Sequence, residues 1–246
     1  MFFEILTLFP SMFDGVFSDS IIRRAIDKSA VSIRIDNIRS YSGDTKHKTV
    51  DDYPYGGEPG MLLKTGPVTD AIKASRLRLA GRNPRVVYLT PQGRRLDHGL
   101  VMELLREEAL VLLCGRYKGI DQRVIDKYVD LEISIGDYVL SGGEIPAMVL
   151  VDALTRLIPG VLGDRASAEN DSFFNGLLAP PHYTRPEIFE DMQVPPVLLS
   201  GHHEHIRKWQ KEMAEKRTRD LRPDLWERYQ EEKDQDSHDR DGRTGG

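Results

Sequence analysis

The chain is poor in cysteine and tryptophan, with one Cys and two Trp in 246 residues. A single cysteine excludes a disulfide within the chain. Cys114 lies in the apolar run ALVLLCG, which reads as the reduced, buried thiol of a cytosolic protein. A catalytic cysteine would need a partner histidine, and none of the seven histidines has an obvious pairing role. No run approaches the roughly 18 apolar residues of a membrane helix. The N-terminal MFFEILTLFPSMF carries Glu4 and Pro10, and no basic residue precedes Arg23. A secretory signal is therefore not expected, and the cytoplasm is the expected location. Neither G-x-G-x-x-G nor G-x-x-x-x-G-K-[ST] occurs, which disfavours a dinucleotide or P-loop site. His202, His203 and His205 in HHEH lack a cysteine or suitably spaced carboxylates beside them. They read as a solvated helix start, and no metal site is expected.

Positive charge is outnumbered overall, 34 Lys and Arg against 39 Asp and Glu, a net of −5. Its distribution argues less against nucleic acid than its sum does. Between Ser200 and Gln230, eight Lys/Arg face six Asp/Glu, a net of +2. From Glu231 to Gly246, three face six, a net of −3, so an acidic tail partly hides a basic segment.

What is present is an alternation of strands and helices. FFEILTL is β-prone, and a helical pattern runs from Pro10 to about Lys28. VSIRIDNI alternates like a half-buried strand. RSYSGDTKHKTVDDYPYGGEPG is a long irregular stretch of the kind that is functional or disordered. Then follow a helix in GPVTDAIKASRLRLA, a strand RVVYLT closed by Pro91 and a helix in DHGLVMELLREE. ALVLLCG is a strand, Asp121 to Tyr128 a short helix, and ISIGDYVLSGGEIPAMVLVDAL a strand turning into a helix. This order predicts an α/β fold with a mostly parallel sheet. The expected organisation is a domain over 1–160, a linker over 161–183, a small α-helical domain over 184–232 and a disordered acidic tail over 233–246.

Three strand ends carry turn residues: YLTPQG, CGRYKGID and SIGDYVLSGGE. In a parallel sheet the carboxyl ends of the strands share one edge. Three Gly- or Pro-bearing loops there predict a pocket lined mainly by backbone, because glycine lets peptide groups approach a ligand closely.

The segments TLFPSMF, TVDDYPYGGEPGM, YLTPQG, LCGRYKGID, SIGDYVLSGGEIPAM, IPGVLG, DSF, PHYTRPE and PPVLLSG occur in this order. Together they resemble the bacterial tRNA (guanine-N1)-methyltransferases of the SPOUT class. The resemblance implies a deep trefoil knot in the α/β domain and a homodimer with shared active sites. It implies S-adenosylmethionine held around Tyr88, Leu89 and Pro91, around Gly115 and Tyr117, and around Ile135, Gly136, Asp137, Tyr138, Val139 and Leu140 with Gly142, Gly143 and Pro146. The implied substrate is tRNA, at N1 of guanosine 37 just 3′ of the anticodon. Asp171 matches the family's general base, and Arg156 the residue that stabilises charge developing on O6. Ser172 and the basic residues Arg207, Lys208, Lys211, Lys216 and Arg217 are the expected RNA contacts. The family is associated with Mg²⁺, although no residue set here forms a recognisable ligand group. Two positions depart from the family's pattern: Lys118 stands where Glu is usual, and Glu58 where a third Gly is usual. Two other readings compete. A related knotted methyltransferase would act on a ribose hydroxyl or another base, and an RNA-binding protein would have lost catalysis.

Overall fold

A computed structural model of the chain describes residues 1–163 and 170–241. Contacts divide it into two compact units, Met1–Gly163 and Asp164–Gly246. The strands of the first unit are β1 (Phe2–Thr7), β2 (Ser32–Asn37), β3 (Asp51–Asp52), β4 (Leu62–Leu63), β5 (Arg85–Arg95), β6 (Ala109–Cys114) and β7 (Leu131–Ser134). β3 and β4 pair only with each other, antiparallel. The other five form one parallel sheet in the order β2-β1-β6-β5-β7. The α/β expectation with a mostly parallel sheet is met.

β6 shows why the sheet is covered on both faces. Its run ALVLLC is buried at every position. Alternate side chains point to opposite sides of a strand. Leu110, Leu112 and Cys114 join one apolar cluster, while Ala109, Val111 and Leu113 join another. The first cluster takes Ile22 of α2 (Ser20–Asp27), Leu100 and Leu104 of α4 (His98–Leu104), and Leu150 and Leu154 of α6 (Glu144–Thr155). The second takes Val68 and Ile72 of α3 (Thr65–Arg78) and Val124 of α5 (Gln122–Tyr128). Continuous apolar strands between two helical layers are the pattern of a buried parallel sheet. A carboxylate is buried on its central strands. Glu4, buried on β1, accepts two bonds from Arg78, at 3.0 Å to Nε and 2.6 Å to Nη2. The same guanidinium reaches Asp36 at 2.7 Å and the Tyr41 hydroxyl at 3.1 Å.

Two element boundaries differ from the sequence reading. The expected single helix from Pro10 to Lys28 is broken into a 3₁₀ turn (Pro10–Phe13), α1 (Asp14–Phe17) and α2. Gly15 weakens the first part, and the Asp19 carboxylate accepts the Ser20 N–H at 2.6 Å and starts a new helix. β5 does not stop at Pro91. Leu89 pairs with Ile133, the chain bulges over residues 90–93, and Arg94 returns to Ile133 with Arg95 on Ser134. Pro91 is tolerated because it lies in the bulge, where no ladder donor is needed.

The second unit holds a hairpin of β8 (Ile188–Phe189) and β9 (Met192–Gln193), then α7 (Pro196–Leu199), α8 (His203–Leu221) and α9 (Pro223–Asp241). The Thr218 hydroxyl donates to Ala214 O at 2.7 Å and accepts the Leu178 N–H at 2.9 Å, which ties α8 to the segment before the hairpin. Arg219 stacks on Trp226 at 4.9 Å and joins α8 to α9. The tail expected to be disordered from Lys233 is helical to Asp241. The good helix formers Gln230, Glu231 and Glu232 lead into it, and Lys233 lies over the Tyr229 ring one turn back, at 5.9 Å. Residues 164–169 of the expected linker and 242–246 of the tail lie outside the described residues. No described helix is long and apolar enough to cross a membrane.

Candidate active site

The carboxyl ends of β5, β6 and β7 open into a cavity of about 380 Å³. Small-molecule sites start at about 300 Å³ and favour this edge of an open parallel sheet. Thr90–Gln92, the 115–120 turn and the 133–146 segment line it. Of the residues expected at the cofactor, Tyr88, Leu89, Pro91, Gly115, Tyr117, Ile135, Gly136, Tyr138, Val139, Leu140, Gly142, Gly143 and Pro146 are all in the lining. Asp137 is exposed and is not.

Backbone is brought together closely here. Gly143 donates to Gly115 O at 3.0 Å, and an isolated antiparallel bridge joins Arg116 to Gly142. A Cβ on Gly143 would stand 2.7 Å from Cys114 Cα, so the loop reaches this depth only with glycine there. Gly93, in the β5 bulge, lies with its backbone against that of Ile133, and a Cβ would collide with Ile133 N. Tyr117 adopts the left-handed φ of +60°, a strain that clusters at functional sites. Tyr88 is buried under this turn, and desolvation pushes its hydroxyl up to about 12, so it stays neutral at physiological pH.

An ion pair below the loops holds them in register. Glu144, the first residue of α6, is 1% exposed and accepts the Thr7 hydroxyl at 2.7 Å. Its other oxygen lies 3.4 Å from Arg116 Nε. Neither of these two atoms meets hydrogen-bond geometry, so their attraction is coulombic. Arg116 also donates to Ser141 O at 3.0 Å and stacks on Phe9 at 4.3 Å. Thus β1, the 115–117 turn and the 141–143 loop converge on one buried carboxylate. Burial, then the nearby Glu144 charge, pushes the Cys114 thiol well above its usual range. That makes it a poor nucleophile.

The two expected catalytic side chains fall in different units. Arg156 caps the carboxyl end of α6, is exposed, and is not in the cavity lining. Asp171 and Ser172 are half-buried in the second unit, where the Ser172 hydroxyl accepts the Ala179 N–H at 2.9 Å. Arg207, Lys208, Lys211, Lys216 and Arg217 are all exposed on α8. Arg207 and Lys211 share a face at i, i+4, and Lys216 falls on about the opposite side. Among the described residues, no group of three or more His, Cys, Asp or Glu could hold a metal. His202 and His205 do approach, with ring centroids 5.6 Å apart.

Sequence reasoning passed over Arg116 as a lining residue and Glu144 altogether. Their pairing spans 28 positions of chain, and neither residue carries a local motif that predicts it. A second depression, of about 520 Å³, lies at the amino end of β5 between Arg76, Arg85, Glu107 and Asp130. Its charges are already paired, Arg76 with Asp130 at 3.3 Å and Arg85 with Glu107 at 3.5 Å. It occupies the wrong strand ends for a ligand site of this fold.

Comparison with known proteins converges on one family. A family model described as tRNA (Guanine-1)-methyltransferase TrmD matches residues 1–228. A tRNA (guanine-N(1)-)-methyltransferase of Haemophilus influenzae strain PittEE is 52% identical over 227 residues, 92% of each chain. Proteins of the same name from Janthinobacterium sp. strain Marseille and Edwardsiella ictaluri strain 93-146 are 53% and 52% identical, each over 92% of this chain. The match covers 91% and 89% of those relatives.

Proposed function

The chain belongs to the tRNA (guanine-N1)-methyltransferase family, and we propose on that ground that it is an enzyme methylating N1 of guanosine 37 in tRNA. The observation that carries this reading is the family match across residues 1–228. The backbone-lined cavity at the sheet edge supports it. S-adenosylmethionine fits that cavity in kind. Peptide groups of the 115–117 and 133–143 loops can meet the adenine edge and the amino-acid end, and Ile133, Tyr138 and Leu140 offer apolar walls. When bound, S-adenosylmethionine supplies a methyl group made electrophilic by a sulfonium.

The protein's part is to make guanine N1 nucleophilic. N1 carries a proton and a delocalised lone pair. The Asp171 carboxylate takes that proton as N1 attacks the methyl carbon. S-adenosylmethionine held by the 115–117 and 133–143 loops would supply that methyl group and be left as the neutral thioether, S-adenosylhomocysteine. Charge that moves to O6 during the transfer is met by Arg156, a fork of donors that stays protonated. A general base contributes about 10²–10⁴-fold. Exposed Arg207, Lys208, Lys211, Lys216 and Arg217, with Ser172, hold the tRNA, the cations through its phosphates. The 184–232 segment acts as the RNA-binding domain.

The finer architecture follows the same reading. The chain is knotted where β5 continues past its bulge. The return of Arg94 and Arg95 to β7 and the contact of Gly93 with Ile133 support that threading. The protein is a cytoplasmic homodimer with shared sites. Exposed Ile145 and Val149, one turn apart on α6, support an apolar mating surface. Mg²⁺ remains an association of the family, with no ligand assigned to it.

The test is methyl transfer from labelled S-adenosylmethionine to an unmodified tRNA transcript, followed by nucleoside digestion. Label in 1-methylguanosine is expected. Label in a 2′-O-methyl nucleoside or another base would refute the target atom.

A further inference from the structure

The cavity wall carries two cationic side chains, Arg116 and Lys118, and no carboxylate. S-adenosylmethionine carries a sulfonium, an ammonium and one carboxylate, so its net charge is positive and such a wall is unfavourable for it on balance. Each cation is matched from outside the lining. Glu144 lies beneath Arg116. Glu58 lies beside Lys118, with Lys118 Nζ 3.5 Å from Glu58 Oε2.

The second pair joins two loops that backbone bonds already hold together. Lys118 N–H donates to Met61 O at 2.9 Å, and Leu63 N–H donates to Gly119 O at 3.0 Å. Leu63 and Ile120 form a parallel bridge. Gly60 takes a left-handed φ of +113° directly against the lysine stem, and a Cβ there would stand 2.9 Å from Lys118 Cγ. A bare glycine thus gives the methylenes of Lys118 a track along the 58–61 segment, with the Glu58 carboxylate at its end.

We propose that Glu58 is a specificity-determining counter-charge, which draws the Lys118 ammonium onto the 58–61 segment and so lets the cavity accept a cationic cofactor. The proposal rests on the reading of this cavity as the S-adenosylmethionine site. Glu58 is a positioning residue that acts through Lys118. Both side chains are substantially exposed, at 72% and 50%, so the pair is screened and its effect modest. Exposed pairs of this kind correspond to about two- to fivefold in affinity.

The test is calorimetric titration with S-adenosylmethionine and with S-adenosylhomocysteine, which keeps the ammonium and carboxylate but has a neutral sulfur. Wild type, Glu58→Gln, Lys118→Met and the double variant are compared, each checked for folding by circular dichroism. Glu58→Gln should weaken S-adenosylmethionine about two- to fivefold and S-adenosylhomocysteine less. The loss should vanish in the Lys118→Met background and shrink in high salt. An equal loss for both ligands, a loss that persists without Lys118, or no loss at all would overturn the proposal while leaving the cavity assignment intact. A wild type that binds neither ligand would overturn the cavity assignment, and the proposal with it.

Discussion

Replacing Glu144 by Gln keeps the shape of the side chain and removes its charge. Glu144 is 1% exposed and the Arg116 side chain 17%, so the charge left behind on Arg116 is nearly desolvated. Breaking a buried ion pair by removing one partner costs about 3–5 kcal/mol. Two observations set the lower end here. The 3.4 Å contact is coulombic and not a hydrogen bond, and Arg116 keeps Ser141 O and the Phe9 ring. A loss of about 2–3 kcal/mol is therefore expected. It should be concentrated at the 115–117 and 141–143 loops, which the pair holds together. Urea unfolding gives the size, and labelling of Cys114 gives the place, because the thiol lies directly beneath both loops. Labelling under native conditions should be very slow in wild type and faster in Glu144→Gln. The double variant Glu144→Gln/Arg116→Met should recover most of the stability, since no unpaired charge remains. A Glu144→Gln protein within about 0.5 kcal/mol of wild type, or a double variant no better than the single, would refute the argument from buried charge.

If Asp171 is the base proposed above, Asp171→Ala should lower turnover by about 10²–10⁴-fold with little change in S-adenosylmethionine affinity; near-wild-type turnover rules it out as the base. Arg78→Met should destabilise the protein by about 3 kcal/mol, because Glu4 is left buried without its bidentate partner; denaturant melts report it, and a change below 1 kcal/mol contradicts the assigned role. The Asp224 carboxyl is held down to about 2, chiefly by its hydrogen bond from Arg222. Its folded pKa lies below the unfolded one, so what it contributes to stability is present above about pH 4 and is lost as pH falls through about 2. A carboxyl NMR titration should place its midpoint near 2, and Arg222→Ala should return it to the ordinary range; a midpoint near 4 in the unaltered protein contradicts the pair.

Much of the sheet was legible because its strands are short apolar runs bounded by Gly and Pro. ALVLLCG and RVVYLT have no second interpretation of that length, and their alternation with helices dictates a parallel sheet. The cavity was legible as punctuation, three turn-rich strand ends that a parallel sheet must place on one edge. The β5 extension was hidden because Pro91 ordinarily ends a strand, and only the tertiary bulge at 90–93 excuses it. The counter-charges were hidden for a related reason. Glu58 and Glu144 sit 60 and 28 positions from the cations they face, and nothing local marks either as paired. The segment read as a tail from its charge carries the end of α9, although its Asp-rich composition does not itself favour helix, because extending a helix begun at Pro223 needs no new nucleus.

On the function proposed above, the methyl donor sits in the cavity at the carboxyl ends of β5, β6 and β7. A crystal structure of the protein with S-adenosylmethionine tests it most directly. The cofactor is expected within hydrogen-bonding distance of backbone in the 115–117 and 133–143 loops, with Tyr138 or Leu140 against it. Cofactor found instead between Arg76 and Asp130, or an empty 133–143 loop at saturating ligand, would contradict it.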